Sequence, residues 1–98
     1  MLTLHKLDLT GPAGSVRISA TEATLLKAFV QSPDARLSID EVMHCLAVAE
    51  GATEKAKVHV RMVRLRKKLH EAGAEGAVIE SIRNVGYQFF EELAVRKP

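Results

Sequence analysis

The chain has few of the features that mark disulfide-linked, secreted or membrane-spanning proteins. Its single cysteine, Cys45, cannot form an internal disulfide, so we expect a reducing compartment. No apolar run approaches the roughly 18 residues that cross a bilayer, and the first residues lack the pattern of a signal peptide. The sequence therefore predicts a cytoplasmic protein without a membrane segment.

Residues that would support catalysis or metal binding also lack any recognised arrangement. There is no glycine-rich phosphate loop and no Ser, His and Asp set with a motif around it. His59 and His70 would lie about 16 Å apart along a helix, too far to share a metal ion. Aromatic residues make up only 4% of the chain, which disfavours a platform for stacking single-stranded bases. We therefore expect no enzymatic activity, no metal and no cofactor.

Acidic residues are missing from residues 55–70, KAKVHVRMVRLRKKLH, although the whole chain holds twelve. This stretch carries seven of the fourteen lysines and arginines, and elsewhere seven basic residues face twelve acidic ones, a net charge of −5. An ordinary exposed helix mixes signs, because opposite charges four residues apart stabilise it by about 0.2–0.5 kcal/mol. The asymmetry indicates a polyanionic partner, which could be nucleic acid, a membrane surface or an acidic protein.

The 98 residues, 47% of them apolar, fit one globular domain over residues 1–98. Residues 1–18, with LTLHKLDLT, GPAG and SVRIS, predict two or three short N-terminal strands with a turn. The leucine alternation breaks at His5 and Lys6, which predicts a bend or bulge that puts the first two leucines and the last two in different registers.

Residues 19–72 predict a three-helix core. Ser19 with Glu22, and Ser38 with Glu41, form capping boxes that open two helices. The first runs from about Ala20 to Gln31 before Pro33 ends it, and the second ends near Gly51. Their predicted apolar stripes are Leu25, Leu26, Phe29 and Val30 in the first helix and Ile39, Val42, Met43, Leu46 and Ala47 in the second. Cys45 is most simply a small core residue.

The third helix is the longest, at about residues 54–72, with Thr53 as its cap, Glu54 in its first turn and Gly73 as its stop. Its residues sort into two stripes at helical spacing. The predicted core stripe is Val58, Met62, Leu65 and Leu69. The neighbouring basic stripe is Lys57, Arg61, Arg64 and Lys68.

Residues 77–91 predict a hairpin, because two β-prone runs flank Asn84 and Gly86, which both tolerate the positive φ of tight turns. Arg83 would stand at or near its tip. A short helix, a long basic helix and a hairpin are the layout of an α+β winged helix-turn-helix. A helix fits the major groove of DNA, and a hairpin arginine can enter the minor groove.

The sequence resembles the winged-helix effector domain of OmpR/PhoB-type transcriptional regulators in ISATEATLL, SIDEV, VHVRMVRLRKKL and IESIRNVGYQF. The resemblance covers about Val16 to Phe90. It implies that Arg61, Val63 and Arg64 face the groove, that Lys57 and Arg66 contact the backbone, and that Arg83 is the wing contact. It also implies a four-stranded N-terminal sheet, of which the 18 residues here look like a trimmed version. The other departures are Ala47 in place of a common tryptophan, Ala56 and His59 in place of a salt-bridged pair, and Val63 in place of a polar reader.

We therefore expect sequence-specific binding of double-stranded DNA in bacterial transcription regulation. The residues expected to contact base edges are Arg61 and Arg64, and those expected to contact phosphates are Lys57, Arg66, Lys67 and Lys68. RNA polymerase and a second copy of the chain on DNA are the further partners considered. The alternative is a non-enzymatic protein-interaction winged helix whose basic helix docks an acidic partner such as RNA polymerase or another regulator. A peripheral membrane helix is disfavoured, since the apolar stripe is needed for the core.

Overall fold

The computed structural model describes residues 2–50 and 55–96, which form three helices and two small sheets. The predicted α+β winged helix-turn-helix class is confirmed. The predicted roles of Gly51, Thr53 and Glu54 fall outside the described residues. In chain order the elements are β1 (Leu2–His5), β2 (Asp8–Gly11), β3 (Gly14–Arg17), α1 (Ala20–Gln31), β4 (Arg36–Ser38), α2 (Ile39–Glu50), α3 (Lys55–Glu71), β5 (Ile79–Ile82), β6 (Gly86–Phe89) and β7 (Leu93–Arg96).

The first two strands form a tight antiparallel hairpin rather than one bent strand. Leu4 pairs with Leu9 across it, and Lys6 takes a positive φ of 55° in the turn. The predicted bend or bulge is therefore wrong, because the break in the leucine pattern marks a reversal of the chain. Directly opposed residues of an antiparallel pair share a face, so Leu2, Leu4 and Leu9 are all buried on one side of the sheet.

The N-terminal sheet has four strands in the order β3-β2-β1-β7. Its fourth strand, β7, runs parallel to β1 with Leu2 opposite Leu93. The backbone N–H of Leu2 donates to the carbonyl of Glu92 at 3.1 Å. No strand is predicted for residues 93–96, and the expectation of a trimmed sheet is wrong because the end of the chain supplies the missing strand.

The first helix begins and ends as predicted, and its capping box is present. The N–H of Glu22 donates to Ser19 Oγ at 3.1 Å, and the N–H of Ser19 donates to Glu22 Oε1 at 2.8 Å. Phe29 is fully buried and its ring stacks on Phe89 of β6, with centroids 5.7 Å apart. Val30 is 42% exposed, so its assignment to the core stripe is wrong. Helix α1 is thereby packed against the wing through Phe29.

The second capping box is also confirmed, with the N–H of Glu41 donating to Ser38 Oγ at 3.0 Å. Val42 and Leu46 of α2 are buried. Ala47 is exposed, so its place in the predicted stripe is wrong. The inward face of α2 includes Val42 and Leu46, which are buried, and three partly buried residues, Ile39, Met43 and Cys45, the last as predicted.

The wing is a three-stranded sheet in the order β4-β6-β5. The predicted hairpin of β5 and β6 is confirmed, but β4 is not predicted. It pairs with β6 so that Ser38 lies opposite Gly86. Gly86 has φ of +151°, and a Cβ on it would lie 2.0 Å from the carbonyl oxygen of Leu37. Only glycine allows β4 to approach β6 this closely.

Gly86→Ala should destabilise the fold by roughly 2–4 kcal/mol, because it adds a clash with Leu37 to an unfavourable φ. Urea unfolding measures the loss. Gly14→Ala is the matched control, since Gly14 has φ of +128° but nothing within 4 Å of its added Cβ. Equal losses in the two variants would contradict the role of the close approach.

Candidate nucleic-acid interface

Helix α3 is held to the core by one stripe of apolar side chains. Val58 is 2% exposed, and Met62, Leu65 and Leu69 are fully buried. The predicted core stripe is thus confirmed. Because successive helical residues are about 100° apart, this stripe fixes which side of α3 points away from the protein.

The outward side of α3 presents most of the predicted basic residues. Lys57, Arg64 and Lys67 are exposed, and Arg61 is half-buried. Lys57, Arg61 and Arg64 line one shallow depression of about 240 Å³ together with Val60. The structure therefore brings three predicted contact residues together on one face.

Two valines share this outward side. Val63 is 44% exposed, in agreement with its predicted outward position, and Val60 is 47% exposed. No role is predicted for Val60 from the sequence. Helical spacing nonetheless predicts that Val60 faces outward. It lies two residues from both Val58 and Met62, about 200° from each around the helix.

Lys68, predicted to contact phosphate, has a partner inside the fold. Its Nζ lies 2.7 Å from Glu22 Oε1 in the first turn of α1, and its side chain is 33% exposed. The same Oε1 atom accepts the N–H of Ser19. Lys68 therefore joins α3 to the start of α1, which reduces its availability for an external anion.

These contacts favour the ionised form of Glu22. Burial raises the pKa of Glu22, but the hydrogen bond and charge of Lys68, with the hydrogen bonds of Ser19, outweigh it, so the pKa lies below its ordinary value of 4.5. A depressed carboxyl pKa means that the ionised form stabilises the fold above pH 4.5. That stabilisation is lost as the pH falls through the lower folded value.

Arg66 is likewise engaged within the fold. Its Nε donates to the carbonyl of Ile79 in β5 at 3.0 Å, and the side chain is half-buried. This bond connects the middle of α3 to the first strand of the wing. The position of the wing relative to α3 therefore depends in part on Arg66.

The C-terminal end of α3 is fixed by the turn between β2 and β3. The N–H of Ala13 donates to the carbonyl of Ala72 at 3.1 Å. The chain approaches so closely here that a Cβ on Gly11 would lie 2.3 Å from that carbonyl oxygen, and one on Gly73 would lie 2.7 Å from the N atom of Ala13. The N-terminal sheet thus packs directly on the end of the basic helix.

Arg83 is exposed in the turn of the wing, next to Asn84, whose φ is 63°. It lines a depression of about 530 Å³ between the wing and the start of α2, which also contains Ser38 and Asp40. This depression is separate from the one on α3. The structure therefore presents two regions of candidate contacts, one on the helix and one on the wing.

The part of the chain that the structure describes offers little for other chemistry. Within residues 2–50 and 55–96, no group of three or more His, Cys, Asp or Glu side chains could hold a metal ion. Burial, and then the charge of Glu41, raises the pKa of the Cys45 thiol, which makes it a poorer nucleophile. Among the same residues, no helix is long and apolar enough to cross a bilayer.

Sequence comparison matches the chain to transcriptional regulators. A family model described as "Transcriptional regulatory protein, C terminal" matches residues 13–89. The "Regulatory protein VirG" of Agrobacterium tumefaciens (strain 15955) is 30% identical over 95 residues, which are 96% of this chain and 36% of the relative. VirG of Rhizobium rhizogenes is 29% identical over 82 residues, which are 84% of this chain and 34% of the relative. The chain spans little more than a third of the length of these relatives.

Two solved structures share the fold. The C-terminal domain of the nisin resistance regulator NsrR, a lantibiotic response regulator, has a TM-score of 0.73 at 26% identity and covers 93% of each chain. A RitR mutant has a TM-score of 0.68 at 26% identity, covering 87% of this chain and 37% of its own.

Glu22→Gln should lower the free energy of unfolding by about 1–2 kcal/mol at pH 7, because a charged hydrogen-bond acceptor is replaced by a neutral one. The difference from the native chain should shrink as the pH falls from 4.5, the ordinary pKa, through the lower pKa that Glu22 has in the fold. Urea unfolding at a series of pH values measures both effects.

Glu41→Gln is the matched control for this prediction, since Glu41 occupies the same place in an exposed capping box with Ser38. It should cost less at pH 7. A Glu22→Gln loss that stays constant from pH 7 to pH 3 would contradict the assigned role of the charge.

Proposed function

The chain belongs to the OmpR/PhoB-type C-terminal domain family of transcriptional regulatory proteins, and we propose that it binds specific sites on double-stranded DNA through α3 and the wing. DNA binding in transcription regulation is the function of this family. The observation that carries the proposal is the outward side of α3, where Lys57, Arg64 and Lys67 are exposed. No carboxylate lies between residues 55 and 70 to neutralise them.

We assign different roles to the basic residues of α3. Arg61 and Arg64, which line one depression, contact base edges in the major groove, where arginine pairs bidentately with guanine. Lys57 and Lys67 neutralise phosphates on either side. Arg66 and Lys68 chiefly position the helix, because Arg66 bonds to β5 and Lys68 bonds to α1.

The wing supplies a second contact through Arg83. An exposed arginine at the tip of a hairpin can enter the minor groove, where the negative potential is concentrated over A·T-rich sequence. Its turn is supported by the hydrogen bond from the N–H of Val85 to the carbonyl of Ile82 at 3.0 Å. We propose that Arg83 adds a preference for A·T pairs beside the site that α3 contacts.

We also propose how the domain acts, where it acts and what else it binds. We propose that it acts by binding and not by catalysis, in the cytoplasm, as part of a regulator. RNA polymerase and a second copy of the chain on the same DNA are its further partners.

Size measurements with and without DNA test the dimer. Absence of any duplex binding at roughly 50 mM salt would overturn DNA binding in favour of an acidic protein partner.

Arg64→Ala should weaken binding to the preferred duplex by about 1–3 kcal/mol and relax its sequence preference, because a contact to a base edge is lost. The preferred duplex is obtained by selection from a random library, and titrations on this and a random duplex measure the change. Arg96→Ala, which removes an exposed arginine from β7, is the control and should leave both affinities unchanged.

Lys67→Ala should weaken binding to the preferred and random duplexes alike and reduce the slope of log affinity against log salt by about 1, as expected for a lost phosphate contact. Salt titrations measure the slope. Equal losses for Lys67→Ala and Arg64→Ala on both duplexes would contradict the division of roles.

Arg83→Ala should remove a preference for A·T pairs at one edge of the site, at a cost of about 1–2 kcal/mol. Replacing those A·T pairs by inosine·cytosine pairs, which keep the same minor-groove acceptors without the amino group of guanine, should leave native binding unchanged. Replacing them by G·C pairs should weaken it. Sensitivity to inosine·cytosine as strong as to G·C would show that this edge is not read in the minor groove.

A further inference from the structure

Two partly exposed valine side chains lie on the outward side of α3. Val60 is 47% exposed and Val63 is 44% exposed. They are three residues apart, so they are neighbours on the helix surface. Val60 lies almost opposite the buried stripe that includes Val58 and Met62.

Neither valine belongs to the stripe that packs α3 against the core. The core stripe of α3 is complete without them, because Val58, Met62, Leu65 and Leu69 fill it. β-Branched residues are also poorer helix formers than the lysine or arginine around them. Their side chains are therefore better explained by what they contact outside the chain.

Their surroundings limit what that contact can be. Val60 shares its depression with Lys57, Arg61 and Arg64. An apolar ligand without negative charge would meet three basic side chains there, whereas duplex DNA presents phosphates and an apolar group together. In the major groove that apolar group is the C5-methyl of thymine, which is bound by apolar side chains.

The spacing also fits consecutive base pairs. Side chains three residues apart on a helix have Cβ atoms about 5–6 Å apart, which lies between one and two base-pair rises of about 3.4 Å. We infer that Val60 and Val63 form a methyl-reading pair that selects thymine at two nearby positions of the site. This inference rests on the proposed DNA binding and names the feature of DNA that the face selects.

The test removes the methyl group alone. A duplex selected from a random library by the native chain is resynthesised with deoxyuridine in place of each thymidine in turn, which leaves base pairing and phosphates unchanged. Loss of one buried methyl group should weaken binding about three- to fivefold. We expect this loss at two nearby thymines and no change at the others.

Two variants assign the effect to the valines. Val63→Ala and Val60→Ala should each weaken binding to the thymidine duplex by a similar factor and remove the deoxyuridine effect at one position. Both residues are exposed, so neither substitution should impair folding. Val30→Ala is the matched control, because Val30 is 42% exposed on a different helix; it should keep the native sensitivity at every position.

The outcomes separate this inference from DNA binding itself. Salt-dependent duplex binding in which no deoxyuridine substitution changes the affinity overturns the methyl-reading pair and leaves the proposed function standing. A deoxyuridine effect that persists undiminished in both Val60→Ala and Val63→Ala overturns it as well. Failure to bind any duplex overturns the proposed function and this inference together.

Discussion

The buried carboxylate of Glu22 joins the two helices on which the interface depends. Its Oε1 atom accepts both the N–H of Ser19, at 2.8 Å, and the ammonium of Lys68, at 2.7 Å. Burying an ionised group is costly unless it is paired, and Lys68 adds a positive charge to the Ser19 hydrogen bonds that already hold the carboxylate of Glu22. The start of α1 and the C-terminal half of α3 are therefore positioned together.

Lys68 has a counterpart on the other side of the same helix. Arg66 follows buried Leu65 by one residue, and Lys68 precedes buried Leu69 by one residue, so the two flank the core stripe on opposite sides. One bonds to β5 and the other to α1. The apolar stripe sets which side of α3 faces outward, and the polar contacts on both of its flanks add to that constraint. This arrangement divides the positive charge of α3 between holding the helix and contacting a ligand.

Local signals in the sequence were sufficient for the helices and the wing hairpin. The two capping boxes and the 3.6-residue spacing involve neighbours in the chain, and both are as predicted. Sequence periodicity also located the outward side of α3. It did not predict that Val30 and Ala47 are exposed. Helical spacing shows which residues share a face of a helix, but not whether another element packs over the edge of that face.

The contacts that the sequence did not predict join residues that are far apart in the chain. Lys68 and Glu22 are 46 residues apart, and no local pattern pairs a lysine in a basic run with one particular acid. Strand β4 is only three residues long, and its strand conformation depends on pairing with β6, which is about 50 residues further along the chain. No local pattern identifies the carbonyl that Arg66 contacts or the carboxylate that Lys68 contacts, so the sequence alone assigns both residues to DNA phosphates. Sequence reasoning therefore predicted the outward side of α3 but not the contacts that Arg66 and Lys68 make within the fold.

The parallel pairing of β1 with β7 has a consequence for the order of folding. Leu2 and Leu93 become neighbours, which closes a loop containing almost every other contact in the protein. Such a closure is costly in chain entropy until the intervening elements have formed. The pairings between strands that are neighbours in the chain, β1 with β2, β2 with β3 and β5 with β6, can form earlier, and β7 can then add to an existing sheet edge. We therefore expect β7 to complete the N-terminal sheet, which packs on the end of α3, only after the elements between β1 and β7 have formed.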